Sequence, residues 1–158
     1  MPVITIRPIG FQTNPDGTQK PISPIEILQR QGPCLEATIT VSDAQQAALS
    51  ERGEQAKSLT GLVMFDTGAS VSCFDQKIAQ DIELVIVDKG NMISASHENH
   101  PVPIFAGKII LPGLNVNIER GMGANLAPQN LIALIGRDIL QLGTLFYNGA
   151  DGSVCFSI

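Results

Sequence analysis

Asp66 is the residue whose placement most invites a chemical explanation. It follows the continuous apolar run Gly61-Leu62-Val63-Met64-Phe65 and precedes Thr67 and Gly68. A charged group at the end of a buried strand costs several kcal/mol unless it is hydrogen-bonded or paired. Two readings meet that requirement. Asp66 can cap the strand through an Asx-type turn, or it can be a carboxylate kept for proton transfer. Thr67 can bond locally, and Gly68 lets backbone amides approach the carboxylate with no side chain in the way. Asp16-Gly17-Thr18 and Asp151-Gly152-Ser153 hold similar residues in a different order. His97 and His100 stand three apart without a third ligand at metal spacing, and Cys34, Cys73 and Cys155 include no Cys-x-x-Cys pair. No metal site and no cofactor is expected. The bland reading of the cysteines is buried thiols in a reducing cytosol.

The elements that must position Asp66 can be read from periodicity and turn signals. Val3–Arg7 alternates as a strand ended by Pro8, and residues 12–32 read as a long surface connection with a short strand at Ile25–Leu28. Leu35, Ala37, Ile39 and Val41 share one face of a half-buried strand. Ser42–Leu59 is either a helix capped by Ser42 and stopped by Gly53, or a mobile loop. Gly61–Phe65 reads as a strand buried on both faces. Asp75 caps a short helix to about Asp81, and Leu84–Val87 follows as a strand. Met92–Ser96 and Val102–Leu111 flank a polar tip, which suggests a hairpin with a solvated end. Val116–Ile118 and the apolar Leu131–Ile135 are further strands, and Arg137–Leu142 makes a short helix. Thr144–Tyr147 and Val154–Ile158 are joined by Asn148-Gly149-Ala150-Asp151-Gly152, a strong hairpin signal. Around nine short strands with one or two short helices make the expected fold class all-β.

Two of these segments carry a family resemblance. Gly61–Phe65 followed by Asp66-Thr67-Gly68-Ala69-Ser70 resembles the active-site loop of retropepsin-like aspartic proteases. Leu131–Ile135 followed by Gly136-Arg137-Asp138 is similar to the second signature of that family. The resemblance spans residues 33–158 in the correct order, with a flap hairpin between the signatures and a terminal hairpin after them. It implies a single-domain closed β-barrel; residues 1–32, read from the sequence as an N-terminal strand and extended segment, have no counterpart in it.

The resemblance also implies an activity. Peptide hydrolysis by this route needs two carboxylates sharing one proton, and close carboxylates cannot both ionise. The chain holds one Asp-Thr-Gly, so the implied unit is a symmetric homodimer. Asp66 would be the shared acid and base, Thr67 would bond across to the partner loop, and Gly68 would leave room for the water. Ala69, Ser70 and the flap residues Ile93, Ser94, Ala95 and Ser96 would hold a peptide or protein substrate. Ile135 and Gly136 would pack beneath the catalytic loop, with Arg137 and Asp138 in ion pairs near the dimer interface. The flap departs from the glycine-rich tips of viral members and is nearer to cellular, bacterial-type relatives. A non-catalytic peptide-binding or dimerisation module on the same fold is the alternative.

Composition narrows the field. The 158 residues carry net charge −5, with six Phe, one Tyr and no Trp. With no Lys/Arg run and no aromatic platform, a nucleic-acid or anionic-membrane partner is not expected. No apolar run approaches the roughly 20 residues of a membrane span, and the expected location is cytoplasmic.

Overall fold

The computed structural model describes residues 2–94 and 97–158. In chain order its elements are β1 (Val3–Ile6), β2 (Gly10–Thr13), β3 (Gln19–Ile22), α1 (Pro24–Gln31), β4 (Cys34–Thr40), α2 (Asp43–Glu51), β5 (Ser58–Phe65), β6 (Cys73–Asp75) and α3 (Gln76–Asp81). They continue with β7 (Val85–Ser94), β8 (His97–Leu111), β9 (Leu114–Ala124), β10 (Ala133–Ile135), α4 (Arg137–Leu140), β11 (Thr144–Asn148) and β12 (Ser153–Ser157).

Six strands close on themselves. The ladder runs β4-β5-β10-β6-β9-β8, and β8 pairs back onto β4 with Thr38 opposite Ile110. The all-β closed barrel expected from the sequence is therefore the architecture found. β7 pairs with β8 outside the ring, so these two long strands form the expected hairpin. A separate sheet, β1-β12-β11, joins the N-terminal strand to the terminal hairpin.

Alternation along the barrel strands sorts side chains into an inside and an outside. Val63, Phe65, Phe74, Ala133 and Ile135 point into the main core. Burying each large apolar side chain there contributes about 1.5–3 kcal/mol. The rings of Phe65 and Phe156 sit 5.2 Å apart and tilted by 50°, which ties the terminal sheet to the barrel. Such pairs contribute about 0.5–1.5 kcal/mol beyond their burial.

Several expectations need correction. Residues 25–28 are not a strand: Ser23 caps α1 by accepting from the Ile25 amide, Pro24 opens the helix, and Gly32 ends it at φ 75°. Residues 10–22 form a small hairpin, β2 with β3, inside the segment expected to be extended. Residues 42–51 resolve to the helix alternative, α2, with the Ser42 hydroxyl accepting from the Gln45 amide. Four α-helices thus replace the one or two expected among the described residues. The strands expected at Leu84–Val87 and Met92–Ser96 are parts of one strand, Val85–Ser94, with a bulge between Ile86 and Asp88; Ala95 and Ser96 lie outside the described residues. The polar residues 97–101 lie in β8, with Ser94 opposite His97 and Met92 opposite His100. Val116–Ile118 is the middle of the eleven-residue β9.

Candidate active site

Asp66 emerges from the end of β5 on the face that Met64 occupies, two residues earlier. β5 runs parallel to β10, and the ladder continues one step past the strand end, where the Asp66 amide donates to the Ile135 carbonyl at 2.9 Å. The carboxylate then folds back on its own turn. The Gly68 amide donates to Asp66 Oδ1 at 2.8 Å, and the Ala69 amide donates to the Asp66 carbonyl at 3.2 Å. A Cβ on Gly68 would sit 3.0 Å from that same Oδ1. The Asx turn expected of a capping aspartate is present, but it occupies only one carboxylate oxygen. No hydrogen bond from the described residues reaches Asp66 Oδ2.

The second signature holds this turn from below. Arg137, first residue of α4, donates its own amide to the Ala69 carbonyl at 2.9 Å. Its guanidinium Nη1 donates to the carbonyls of Thr67 at 2.6 Å and Gly68 at 3.1 Å. Asp138 accepts from the Ser72 amide at 3.0 Å, from the Ser72 hydroxyl at 2.8 Å and from the Ile139 amide at 3.0 Å. Ser72 Oγ in turn accepts from the Gly136 amide at 3.0 Å. Within this chain Arg137 and Asp138 bind the backbone and Ser72. Gly136 passes so close to the loop that a Cβ would lie 2.7 Å from the Val71 carbonyl carbon. Only glycine fits there, because backbone on the other side cannot give way.

Residues 66–72 and 135–139 are therefore one interlocked unit. Ile135 is buried beneath it in the main core. Ser72, 1 % exposed, is a positioning residue that sequence reasoning missed. Its signal was a polar residue between the apolar Val71 and Cys73 just after the Asp-Thr-Gly turn. Asp75, 3 % exposed, is the one buried carboxylate among the described residues. It caps α3 through the Ile78 amide at 3.1 Å and holds the Leu126 amide at 3.0 Å, so it is structural.

Asp66 opens onto a groove of about 670 Å³. Gly68, Ala69 and Ser70 line one side, and His100 and Met92 of the β7–β8 hairpin line another. Thr67 is exposed at the turn's apex. Ile93 and Ser94 end β7 on that hairpin, while Ala95 and Ser96 lie outside the described residues. A second groove of about 520 Å³, lined by Arg30, Gln31, Cys34 and Leu62 among others, adjoins the first through Met64 and Gln129. It contains no carboxylate among the described residues.

The groove floor is apolar. Cys73, Ala124, Leu126 and Leu131 form a small second core, with Met64, Met92, Met122 and Leu134 packed against it. Burial, reinforced by the negative charges of Asp138 and Asp66, pushes the Cys73 thiol up to about 11. Burial likewise raises the Cys34 thiol. Among the described residues no three His, Cys, Asp or Glu side chains are grouped as a metal site, and no helix is long and apolar enough to cross a membrane.

No family model and no curated protein matches the sequence. Among solved structures the chain is similar to the crystal structure of a retropepsin-like aspartic protease from Rickettsia conorii. That likeness has 17 % identity and a TM-score of 0.45, and covers 98 % of this chain and 91 % of the other.

Proposed function

We propose that the protein is an aspartic endopeptidase of the retropepsin-like type, acting as a symmetric homodimer. The observation that carries this reading is Asp66. It is the one carboxylate among the described residues lining the groove, with Oδ1 fixed by the Gly68 amide and Oδ2 left without a hydrogen bond from the described residues. Fixing a carboxylate's orientation while leaving one oxygen open is what general acid–base work requires. A single carboxylate cannot both accept a proton from water and give one to a carbonyl, so a second copy supplies the other.

In the proposed reaction a water sits between the two Asp66 side chains. The ionised carboxylate takes a proton from the water as its oxygen bonds to the scissile carbonyl carbon. The protonated partner gives its proton to the carbonyl oxygen, producing a neutral tetrahedral diol. Breakdown returns a proton to the leaving amine, and the C–N bond breaks. The pair shares one proton throughout. Thr67 bonds across to the partner turn, Ala69 and Ser70 hold the peptide backbone, and the β7–β8 hairpin, with Ile93 and Ser94, covers it. Neither a cofactor nor a metal takes part. The proposed location is cytoplasmic.

The test is cleavage of a mixed peptide library between pH 4 and 7, with wild type beside Asp66→Asn. Cleavage by wild type alone, at a specific activity that rises with protein concentration, supports the reading. Cleavage retained in Asp66→Asn overturns it. A folded dimer that binds peptides and cleaves none favours the binding module instead.

A further inference from the structure

Strand register gathers sulfur into the groove. Cys34 stands opposite Met64, Met64 opposite Leu134, Leu134 opposite Cys73, and Cys73 opposite Met122. Cross-strand partners project on the same face, so these residues form one row across β4, β5, β10, β6 and β9. The row faces away from the main core, and Met92 packs against it from β7. Three of the chain's four methionines thus meet beside Asp66, each half-buried and in contact with the groove.

Thioethers and thiols differ in what arms them. A thiol reacts with peroxide as its thiolate, so its reactivity follows its pKa. A thioether has no proton to lose and reacts at any pH. The Cys73 and Cys34 thiols are both held protonated by burial at neutral pH. That leaves Met64, Met92 and Met122 as the reactive sulfurs of the groove.

We propose that Met64, Met92 and Met122 form a modification site, oxidised to sulfoxides by hydrogen peroxide, and that this closes the groove to apolar ligands. A sulfur lone pair attacks one peroxide oxygen and the O–O bond breaks. The sulfoxide S–O bond forms, and the departing oxygen leaves as water after proton transfer. Sulfur loses two electrons and peroxide gains them, so one thioether and one peroxide give one sulfoxide and one water. Each sulfoxide turns a flexible apolar side chain into a polar hydrogen-bond acceptor. Placed next to the Asp66 carboxylate, such acceptors repel both the apolar side chain and the negative charge of a ligand. The effect on turnover rests on the peptidase reading above; the oxidation and the loss of apolar binding do not.

The experiment treats wild type and the Met64→Leu/Met92→Leu/Met122→Leu variant with peroxide at pH 7. Met-to-Leu exchanges nearly conserve volume and typically cost less than about 1.5 kcal/mol; the single Met122→Leu variant serves if the triple one fails to fold. Peptide mapping locates added oxygen, Nile red emission reports apolar binding, and kcat/KM is normalised to each protein's untreated rate. Expected are oxygen on the three methionines before Cys73, and Nile red binding and kcat/KM at least tenfold lower in wild type. The triple variant should change less than twofold. Oxidation of Cys73 first, an equal loss in the triple variant, or sulfoxides with undiminished Nile red binding would overturn the proposal. If untreated wild type cleaves nothing, the peptidase reading fails and the Nile red comparison still decides this one.

Discussion

Replacing Ser72 by alanine removes one oxygen from the centre of the loop network, and its cost can be worked out bond by bond. The hydroxyl donates to Asp138 Oδ1 at 2.8 Å and accepts from the Gly136 amide at 3.0 Å. Asp138 keeps the amides of Ser72 and Ile139, so its loss is partial. The Gly136 amide has no such reserve: the residue is buried, and the Val71 carbonyl group packed against it excludes water. A buried donor left without a partner costs about 1–3 kcal/mol, and a bond to a charged acceptor adds about 1 kcal/mol or more. The expected destabilisation is therefore about 2–4 kcal/mol, a Tm fall of roughly 5–15 °C for a domain of this size. Urea and thermal unfolding followed by circular dichroism measure it. A double-mutant cycle with Asp138→Ala should give a coupling of at least about 1 kcal/mol. A Ser72→Ala loss below about 0.5 kcal/mol, or additive single losses, would refute the claim that the two signatures form one interlocked unit.

Other consequences can be checked in parallel. Gly136→Ala should destabilise by about 1–3 kcal/mol, since the added methyl meets backbone rather than a yielding side chain; chemical denaturation reads it. Arg137→Ala removes the donor to the Thr67 and Gly68 carbonyls, and limited proteolysis should then cut near residues 66–70 while the distant terminal sheet stays protected. Cys73 should resist iodoacetamide at pH 8 in the native state and label fully in urea, because its thiol is pushed up to about 11. The linkage has a definite sign. The folded thiol ionises later than the unfolded one, so stability is constant below about pH 8.5 and falls as pH rises towards 11. The loss is on the order of 3 kcal/mol, and Cys73→Ala should flatten that slope in denaturant titrations.

Much of the barrel was legible because its strands alternate or run apolar. Leu35–Val41, Gly61–Phe65 and Leu131–Ile135 each announced a strand, and all three sit in the closed ring. Local chemistry carried the Asp66 turn as well, since Gly68 binds Oδ1 as a capping turn requires. The misses have physical causes. Ser23-Pro24-Ile25-Glu26 is an N-cap, a proline at the first helical position and an early acid, yet three prolines in residues 15–24 concealed the helix that follows. The strand expected at Val116–Ile118 is the middle of β9, which runs on through Gly121 and Gly123. They are glycines because β9 crosses buried rings, where a Cβ on Gly121 would lie 2.6 Å from Phe74 Cε2. The role of Ser72 depends on a partner 66 residues away in the sequence, and no local pattern encodes such a bond. The sulfur row, likewise, exists only once five strands are set in register.

Mixing subunits tests the shared-aspartate account most directly. Asp66→Asn protein is unfolded and refolded with wild type at a series of ratios, holding total concentration fixed, and peptide cleavage is measured at each. If both Asp66 carboxylates of a dimer are needed, only wild-type pairs are active, and the rate follows the square of the wild-type fraction. An equal mixture then gives about a quarter of the undiluted rate. A rate proportional to the wild-type fraction, about one half in the equal mixture, would mean that one chain suffices and would contradict the account.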